Sequence, residues 1–179
     1  GEAVTVYDID EEGWAWGQLE TDGYVGWFSA DALGSTEPAP THRVIAPRSH
    51  FYPIAGFKAE PLGAVAMGAA VTVTRVDGRY AATPFGFIRD AHLAPLEEAA
   101  QDYVAVAERL IGTPYVWGGK SGAGVDCSGL VQLSMMLAGK GAPRDSDMQA
   151  AGLGEPLPMG VNALRRGDLV FWKGHVGIM

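Results

Sequence analysis

One segment, residues 113–137, constrains the fold more than any other part of the chain. It begins with a glycine-rich loop and ends with an apolar run of helical period. Asp126 stands at the junction, where its carboxylate can accept hydrogen bonds from the free amides of a first helical turn. Gly129 in that turn allows another backbone to approach closely. The pattern therefore predicts a buried helix that begins after Asp126 and ends near Leu137.

The only cysteine of the chain, Cys127, opens this predicted helix. Unpaired amides and the helix dipole stabilise an anion there, so a thiol at this position loses its proton more readily and can act as a nucleophile. The alternative is a small buried hydrophobic residue, which is what a lone cysteine usually is. Its neighbours Asp126, Ser128 and Gly129 favour a reactive thiol, because an inert core position does not need polar or small neighbours.

A histidine further along the chain is the candidate general base. Residues 169–172 predict a short apolar strand, Lys173 and Gly174 a hairpin turn, and residues 175–179 the returning strand. His175 opens the returning strand at the rim of a sheet, where an imidazole can face a helix end. A lone histidine is more often a surface or core residue, but with such a thiol it becomes a candidate base.

Five blocks, in this order, resemble the NlpC-type cell-wall cysteine peptidases. They are PYVWGG at 114–119, DCSG at 126–129, RDS at 144–146 with Gln149 after it, GDLVFW at 167–172 and HVGIM at 175–179. The resemblance covers residues 99–179 and implies an α+β fold: a papain-like cysteine peptidase domain with helices packed on an antiparallel sheet. It also implies that Cys127 and His175 are catalytic, that no cofactor is needed, and that a third polar residue, expected after Met179, orients the imidazole.

The same resemblance implies the substrate and further groove residues. The bond cut would join γ-D-glutamate to the L-diamino acid of peptidoglycan stem peptides. Asp126 and Ser128 would line the groove beside the nucleophile, and Asp145 and Ser146 would belong to it, with the aspartate facing the substrate amine. From the residues alone, Asp145 and Ser146 fit equally well an Asx turn or the cap of a short helix through Gln149.

The N-terminal half predicts two small β units. Strands are expected at 3–7, 14–19 and 24–28, and residues 34–41 have the composition of a linker. AVTV at 3–6 recurs at 70–73, and residues 25–33 match 85–93. The units resemble bacterial SH3-like barrels, with GYVGWF at 23–28 the clearest mark. We expect barrels at 1–36 (its N-terminal part missing) and 42–95, then the peptidase domain at 96–179 (its C-terminal part missing).

Two residues of the first unit are candidates for substrate binding. In relatives with two such barrels, a glutamate and a tyrosine from the first barrel hold the free amino terminus of the substrate. The resemblance assigns these roles to Glu2 and Tyr24, whose alternatives are a solvated acid and an ordinary barrel aromatic. Such an enzyme would need a free N-terminal L-alanine and would recycle released peptides in the cytoplasm. A periplasmic or secreted protein, with its signal sequence outside the given chain, remains the alternative.

Two structural expectations concern the core. Trp14, Trp16 and Trp27 are expected in the core of the first barrel. A connecting helix is expected after Pro95, with Glu97 and Glu98 in its first turn and its end near Ile111.

Composition narrows the function classes. The net charge of −8 argues against a nucleic-acid partner, and no apolar run approaches the roughly 20 residues of a membrane helix, so no membrane insertion is expected. No metal-ligand spacing occurs, and one cysteine allows no internal disulfide. The oligomeric state is not indicated. An N-acetylmuramoyl-L-alanine amidase, a non-catalytic wall-binding module and a lipid acyltransferase remain alternatives to the peptidase, whose partners would be peptidoglycan-derived peptides.

Overall fold

The structure is a computed structural model of the 179-residue chain, and it describes residues 1–35, 38–157, 160 and 164–179. The predicted linker at 34–41 lies partly outside these residues. Residues 158, 159 and 161–163 also lie outside them.

The first unit is an open antiparallel sheet of three strands in sequence order. They are β1 (Val4–Ile9), β2 (Trp14–Leu19) and β3 (Val25–Ser29). These match the predicted strands to within two residues at each end. Because successive residues of a strand point to opposite faces, Ala15 and Gly17 take the buried face of β2.

The expectation that the tryptophans form a core is wrong for two of them. Trp14 is 47% exposed and Trp27 is 54% exposed, while Trp16 is half-buried and packs against the Trp27 ring at 5.4 Å between centroids. Alternation explains the error, because the small residue Ala15 occupies the inward position of β2.

The second unit has eight short strands in three small sheets. Their hydrogen-bonded orders are β11-β4-β7, β10-β9-β8 and β5-β6. The strands are β4 (His42–Val44), β5 (Arg48–Phe51), β6 (Gly63–Ala66), β7 (Ala70–Val71), β8 (Arg75–Asp77), β9 (Tyr80–Thr83), β10 (Gly86–Arg89) and β11 (Leu93–Pro95). Val44, Val71, Ala81 and Ile88 form its core. In residues 1–35 and 38–95 the strand pairings close no barrel, so the predicted barrels are not confirmed as closed.

The internal repeat is visible at its second block. In both units a strand, β3 or β10, runs directly into a single 3-10 turn, at Ala30–Ala32 and at Asp90–His92. The residues before these turns, Ser29 and Arg89, have nearly the same backbone angles. The first block is less regular, because β1 has six residues whereas β7 has two.

The connecting helix is shorter than predicted. It is α1 (Tyr103–Glu108), and it begins after Asp102, whose carboxylate accepts from the Val104 amide at 2.8 Å. This cap sets the start of the helix, so Glu97 and Glu98 lie in an exposed turn and Pro95 lies in a strand.

The central helix is α2 (Cys127–Leu137), with the predicted start and end. One face packs with α1 and with Met67 of the second unit, in a cluster completed by Val106, Leu110, Leu133 and Leu137. The opposite face, through Val131 and Met135, packs on Val176 of the C-terminal hairpin. The second unit therefore packs against the face of α2 that carries Leu133 and Leu137.

The remaining elements surround this helix. They are the β12 (Lys120–Ser121) and β13 (Gly124–Val125) pair, α3 (Ser146–Gly152), and the hairpin of β14 (Leu169–Trp172) and β15 (His175–Ile178). The hairpin register pairs Trp172 with His175, as the predicted turn at Lys173 and Gly174 requires. No helix in the described part of the chain has the length and apolar character needed to cross a bilayer.

Candidate active site

The tip of α2 is fixed by Asp126. Its Oδ1 accepts from the Gly129 amide at 2.7 Å and its Oδ2 from the Gly118 amide at 2.8 Å. A Cβ at position 129 would lie 2.3 Å from the Gly119 carbonyl oxygen, so the glycine predicted to permit a close approach is required here. Asp126 thus joins the glycine-rich loop to the first turn, and Cys127 lies at this junction.

A buried ion pair reinforces the tip. The Arg144 guanidinium donates to both oxygens of Asp126, at 3.0 and 2.7 Å, and to the Ser128 hydroxyl at 2.9 Å. Burial acts to raise the pKa of Asp126, but the hydrogen bonds from Arg144, Gly129 and Gly118 outweigh it and hold that pKa below its ordinary value. Asp126 and Ser128 are predicted to bind substrate, and their polar atoms also hold the helix tip.

Gln149 of α3 extends this network. It is fully buried, and its Nε2 donates to the Ser128 carbonyl at 2.9 Å and to the Pro143 carbonyl at 2.8 Å. The RDS block and Gln149 therefore act together, since Arg144 holds the side chain of Ser128 while Gln149 holds its backbone.

Tyr115 links the predicted nucleophile to the predicted base. Its hydroxyl lies close to the side chain and to the backbone amide of Cys127. Its ring stacks beside the His175 imidazole, with centroids 6.3 Å apart and an interplanar angle of 29°. Desolvation and the neighbouring Cys127 side chain raise the pKa of Tyr115, so its hydroxyl stays protonated at neutral pH. Thiol and imidazole thus share one neighbour.

His175 is held from its other side by the hairpin. The Trp172 ring lies 4.9 Å from the imidazole centroid at an angle of 49°. The next residue, Val176, is buried against α2 in a cluster that also includes Cys127. This packing keeps the start of β15 beside the N-terminal end of α2, as the sequence predicted.

A groove of about 630 Å³ runs past the thiol. Seven of the eight predicted site residues line it: Glu2, Tyr24, Asp126, Cys127, Ser128, Asp145 and Ser146. The eighth, His175, is not in the lining, but the residue before it, Gly174, is. Within the described chain, the lining carries five carboxylates (Glu2, Asp22, Asp126, Asp145 and Asp147) and two cations (Lys120 and Arg144). This balance suits a ligand with an ammonium group.

Tyr24 and Asp145 meet across the groove. Their side chains are close enough that the charge of the Asp145 carboxylate, followed by desolvation, raises the pKa of Tyr24. Asp145 precedes α3, but its side chain makes no capping hydrogen bond there. The sequence left open whether Asp145 caps α3 or belongs to the groove. The side-chain cap is not observed, and the carboxylate faces the first unit.

Glu2 lies on the same side but is not a free charge. Its Oε1 lies 2.9 Å from Lys120 Nζ of the peptidase region, and the Thr21 hydroxyl donates to the same oxygen at 3.3 Å. The side chains of Glu2 and Lys120 are 38% and 18% exposed. Glu2 therefore contributes to the interface between the first unit and the groove.

A second contact across this interface involves Gln132. This residue of α2 is buried, and its Nε2 donates to Asp22 Oδ2 at 2.7 Å and to the Ala142 carbonyl at 3.0 Å. Asp22 also accepts from the Tyr24 amide through Oδ1 at 3.0 Å. One carboxylate thus orients Tyr24 and ties its turn to α2.

Sequence profiles and relatives identify the family of this chain. The profile of the NlpC/P60 family matches residues 112–179, and that of the bacterial dipeptidyl-peptidase Sh3 domain matches residues 1–33. A Corynebacterium glutamicum protein named a probable endopeptidase is 34% identical over 161 residues, which cover 84% of this chain and 76% of that protein. The chain belongs to the NlpC/P60 family. The family prediction made from the five blocks is confirmed.

Two further relatives of this NlpC/P60 protein are informative. The gamma-D-glutamyl-L-lysine dipeptidyl-peptidase of Bacillus subtilis is 32% identical over 174 residues, covering 87% of this chain and 57% of that protein. The chain thus spans a little over half of that relative. A crystal structure of an NlpC/P60 family protein from Bacillus cereus superposes with a TM-score of 0.79 at 25% identity, covering 100% of this chain and 68% of that one.

The structure adds site residues that sequence reasoning missed. Tyr115 and Arg144 lie inside recognised blocks, PYVWGG and RDS, so membership of a block was the available signal. No sequence signal marked Gln132 and Asp22, because their contact joins positions 110 residues apart. No group of three or more His, Cys, Asp or Glu residues that could hold a metal is found in the described part of this NlpC/P60 chain.

Proposed function

We propose that this chain is the peptidase-bearing part of an enzyme that hydrolyses the γ-D-glutamyl–L-diamino acid bond of peptidoglycan stem peptides with a free N-terminal L-alanine. Family membership gives the reaction class, cysteine peptidase. The observation that carries the assignment of roles is the position of Tyr115, whose hydroxyl contacts Cys127 while its ring stacks beside His175.

In the proposed reaction the Cys127 thiol passes its proton to His175, and the sulfur attacks the γ-carbonyl carbon of the D-glutamyl residue. The C–N bond then breaks, and the imidazolium gives its proton to the leaving amine of the diamino acid. A water molecule, deprotonated by His175, cleaves the resulting thioester and restores the thiol. The products are an L-Ala-D-Glu dipeptide and a peptide that begins with the diamino acid.

Tyr115 has a further proposed role as a donor to the oxyanion. Its hydroxyl lies close to the Cys127 amide, which marks the region that the carbonyl oxygen would enter. A protonated phenol there can donate to the developing charge together with that amide. The raised pKa of Tyr115 supports this role, because it keeps the hydroxyl a donor.

The proposed selectivity depends on the wall formed by the first unit. Asp145 is a groove carboxylate that makes no ion pair within the described chain, although the Arg144 charge acts on it, and the Tyr24 hydroxyl lies close to it. A substrate ammonium would find a carboxylate and a phenol oxygen on the two sides of one groove. The Bacillus subtilis relative is named a dipeptidyl-peptidase, a name that fits release of a dipeptide from a free amino terminus. Recycling of released peptides in the cytoplasm would follow as the cellular role.

The test is product analysis by mass spectrometry with the tripeptide L-Ala-γ-D-Glu-L-Lys. We expect L-Ala-D-Glu and free lysine from the wild-type chain and neither product from Cys127→Ala. Ser29→Ala, which removes an exposed hydroxyl outside the groove, serves as the control and should leave the products unchanged. Cleavage by Cys127→Ala at the wild-type rate would exclude the thiol mechanism, and release of L-alanine from N-acetylmuramoyl-L-alanine would indicate the amidase instead.

A further inference from the structure

A second cavity of about 410 Å³ lies where the three parts of the chain meet, away from the thiol. The first unit contributes Thr21, the second unit contributes Arg43 and Ile45, and the helices α1 and α2 contribute most of the rest. Binding pockets occur preferentially at such junctions of structural units. None of the predicted site residues lines this cavity, and the proposed peptidase reaction does not use it.

Three cations line the cavity, and they lack anionic partners. Arg43, Arg109 and Lys140 face it, and none of them makes an ion pair with any residue of the described chain. Glu98 is the one carboxylate in the described lining. An excess of positive charge is unexpected in a chain whose net charge is −8, because most of the surface repels anions.

Arg43 is the most constrained of the three. Its Nη1 donates to the Met136 carbonyl at 3.3 Å, while its Nε is buried and has no hydrogen-bond partner among the described residues. A buried donor without an acceptor is destabilising, so a partner for this guanidinium group would be favourable. Arg109 similarly makes a single long contact, from Nη1 to the Ile45 carbonyl at 3.4 Å.

The remaining lining sets the chemical class of the ligand. Ile45, Val106 and Leu137 provide an apolar floor between the cations. A ligand that has an apolar stem and carboxylates at its ends would satisfy both features. We propose that this cavity binds a small molecule with at least two carboxylates, held by Arg43, Arg109 and Lys140.

The test measures binding of adipate, a dicarboxylate with an apolar stem, by isothermal titration calorimetry, with sodium chloride at matched ionic strength as the reference. We expect saturable binding by the wild type. Arg109→Gln and Lys140→Gln are suitable variants because both side chains are exposed, and each should weaken binding by about fivefold, the effect of one charge near 4 Å in a wet site. Lys58→Gln, an exposed lysine outside the cavity, should bind as the wild type does.

Three results would overturn the proposal: no binding beyond the sodium chloride reference, unchanged affinity in both variants, or inorganic phosphate binding as tightly as adipate. The last would contradict the carboxylate class, because phosphate has no apolar stem. The measurement needs no peptide hydrolysis, so its outcome is independent of the proposed peptidase function.

Discussion

The two walls of the groove are built differently. On the peptidase wall, Asp126 and Arg144 form an ion pair whose side chains are 6% and 14% exposed, and Gln149 below them is fully buried. On the first-unit wall, the Glu2–Lys120 pair is more open to solvent and Tyr24 is 42% exposed. Buried pairs are costly to break, whereas exposed ones contribute little. The difference fits the proposal that the peptidase wall fixes the reacting groups and that the first-unit wall, called the selector wall below, selects the substrate.

The largest effect is expected from breaking the buried pair. Arg144→Met would leave the Asp126 carboxylate buried without its cation, and we expect unfolding to require about 3–5 kcal/mol less free energy. Urea denaturation followed by circular dichroism measures this. Arg75→Met is the matched control, because Arg75 is exposed and makes no ion pair in the described chain. A loss below 1 kcal/mol would contradict a rigid peptidase wall.

The same pair predicts a pH dependence. The folded-state pKa of Asp126 is lowered, so its contribution to stability is present above the unfolded value of about 4 and is lost as the pH falls through the folded value. Wild-type stability should therefore fall below pH 4, and Arg144→Met should show a shallower fall there. Denaturation curves between about pH 2 and 7 would test this. Parallel curves for the two proteins would contradict it.

Removing the Tyr115 hydroxyl tests the proposed catalytic role of the peptidase wall. Tyr115→Phe removes the hydroxyl that contacts Cys127 and keeps the ring beside His175. We expect kcat to fall about 100-fold with little change in KM, as when one donor to an oxyanion is lost. Steady-state kinetics with the tripeptide measure this, and Tyr7→Phe, which alters an exposed tyrosine of the first unit, is the control. A change in KM alone would assign Tyr115 to substrate binding.

Much of the peptidase wall could be predicted from the sequence because its signals are local. Asp126, Cys127 and Gly129 are close together, and a cap, a helix start and a close approach follow from their spacing. The hairpin that carries His175 also follows from a two-residue turn. Local patterns failed for α1, where the cap at Asp102 prevailed over the longer apolar period.

The selector wall was harder to predict, because its contacts join distant positions. The Glu2–Lys120 and Asp22–Gln132 contacts each span more than 100 residues, and no spacing rule reports them. Glu2 and Tyr24 were found only through family resemblance. The exposure of Trp14 and Trp27 was missed for a related reason, since large aromatics predict a core only where a second layer covers the sheet.

A substitution of Asp22 would disturb the position of Tyr24 on the selector wall without changing any residue that contacts Cys127. Asp22→Ala removes the acceptor for Gln132 and for the Tyr24 amide. We expect the preference for free over N-acetylated tripeptide to fall about fivefold, as the loss of one hydrogen bond of about 1 kcal/mol implies. The rate on the acetylated peptide should not change. Asp31→Ala, an exposed acid of the same unit, is the control, and an unchanged preference in Asp22→Ala would show that the contact does not position Tyr24.

The smallest effect is expected at the exposed pair. Lys120→Met should change the free energy of unfolding by less than about 1 kcal/mol, because solvent already weakens its attraction to Glu2. Lys58→Met provides the comparison for loss of an exposed lysine. Urea denaturation of both measures the difference, and destabilisation as large as in Arg144→Met would erase the distinction between the two walls.

The most direct test of this division compares kcat/KM of the wild type for L-Ala-γ-D-Glu-L-Lys and for its N-acetylated form. Acetylation removes the charge that the Tyr24–Asp145 contact is proposed to hold and leaves the scissile bond unchanged. We predict that the free peptide is preferred by about 10- to 100-fold, the effect of one hydrogen bond to a charged group. Equal values for the two peptides would contradict the account, because the first unit would then have no part in selecting the substrate.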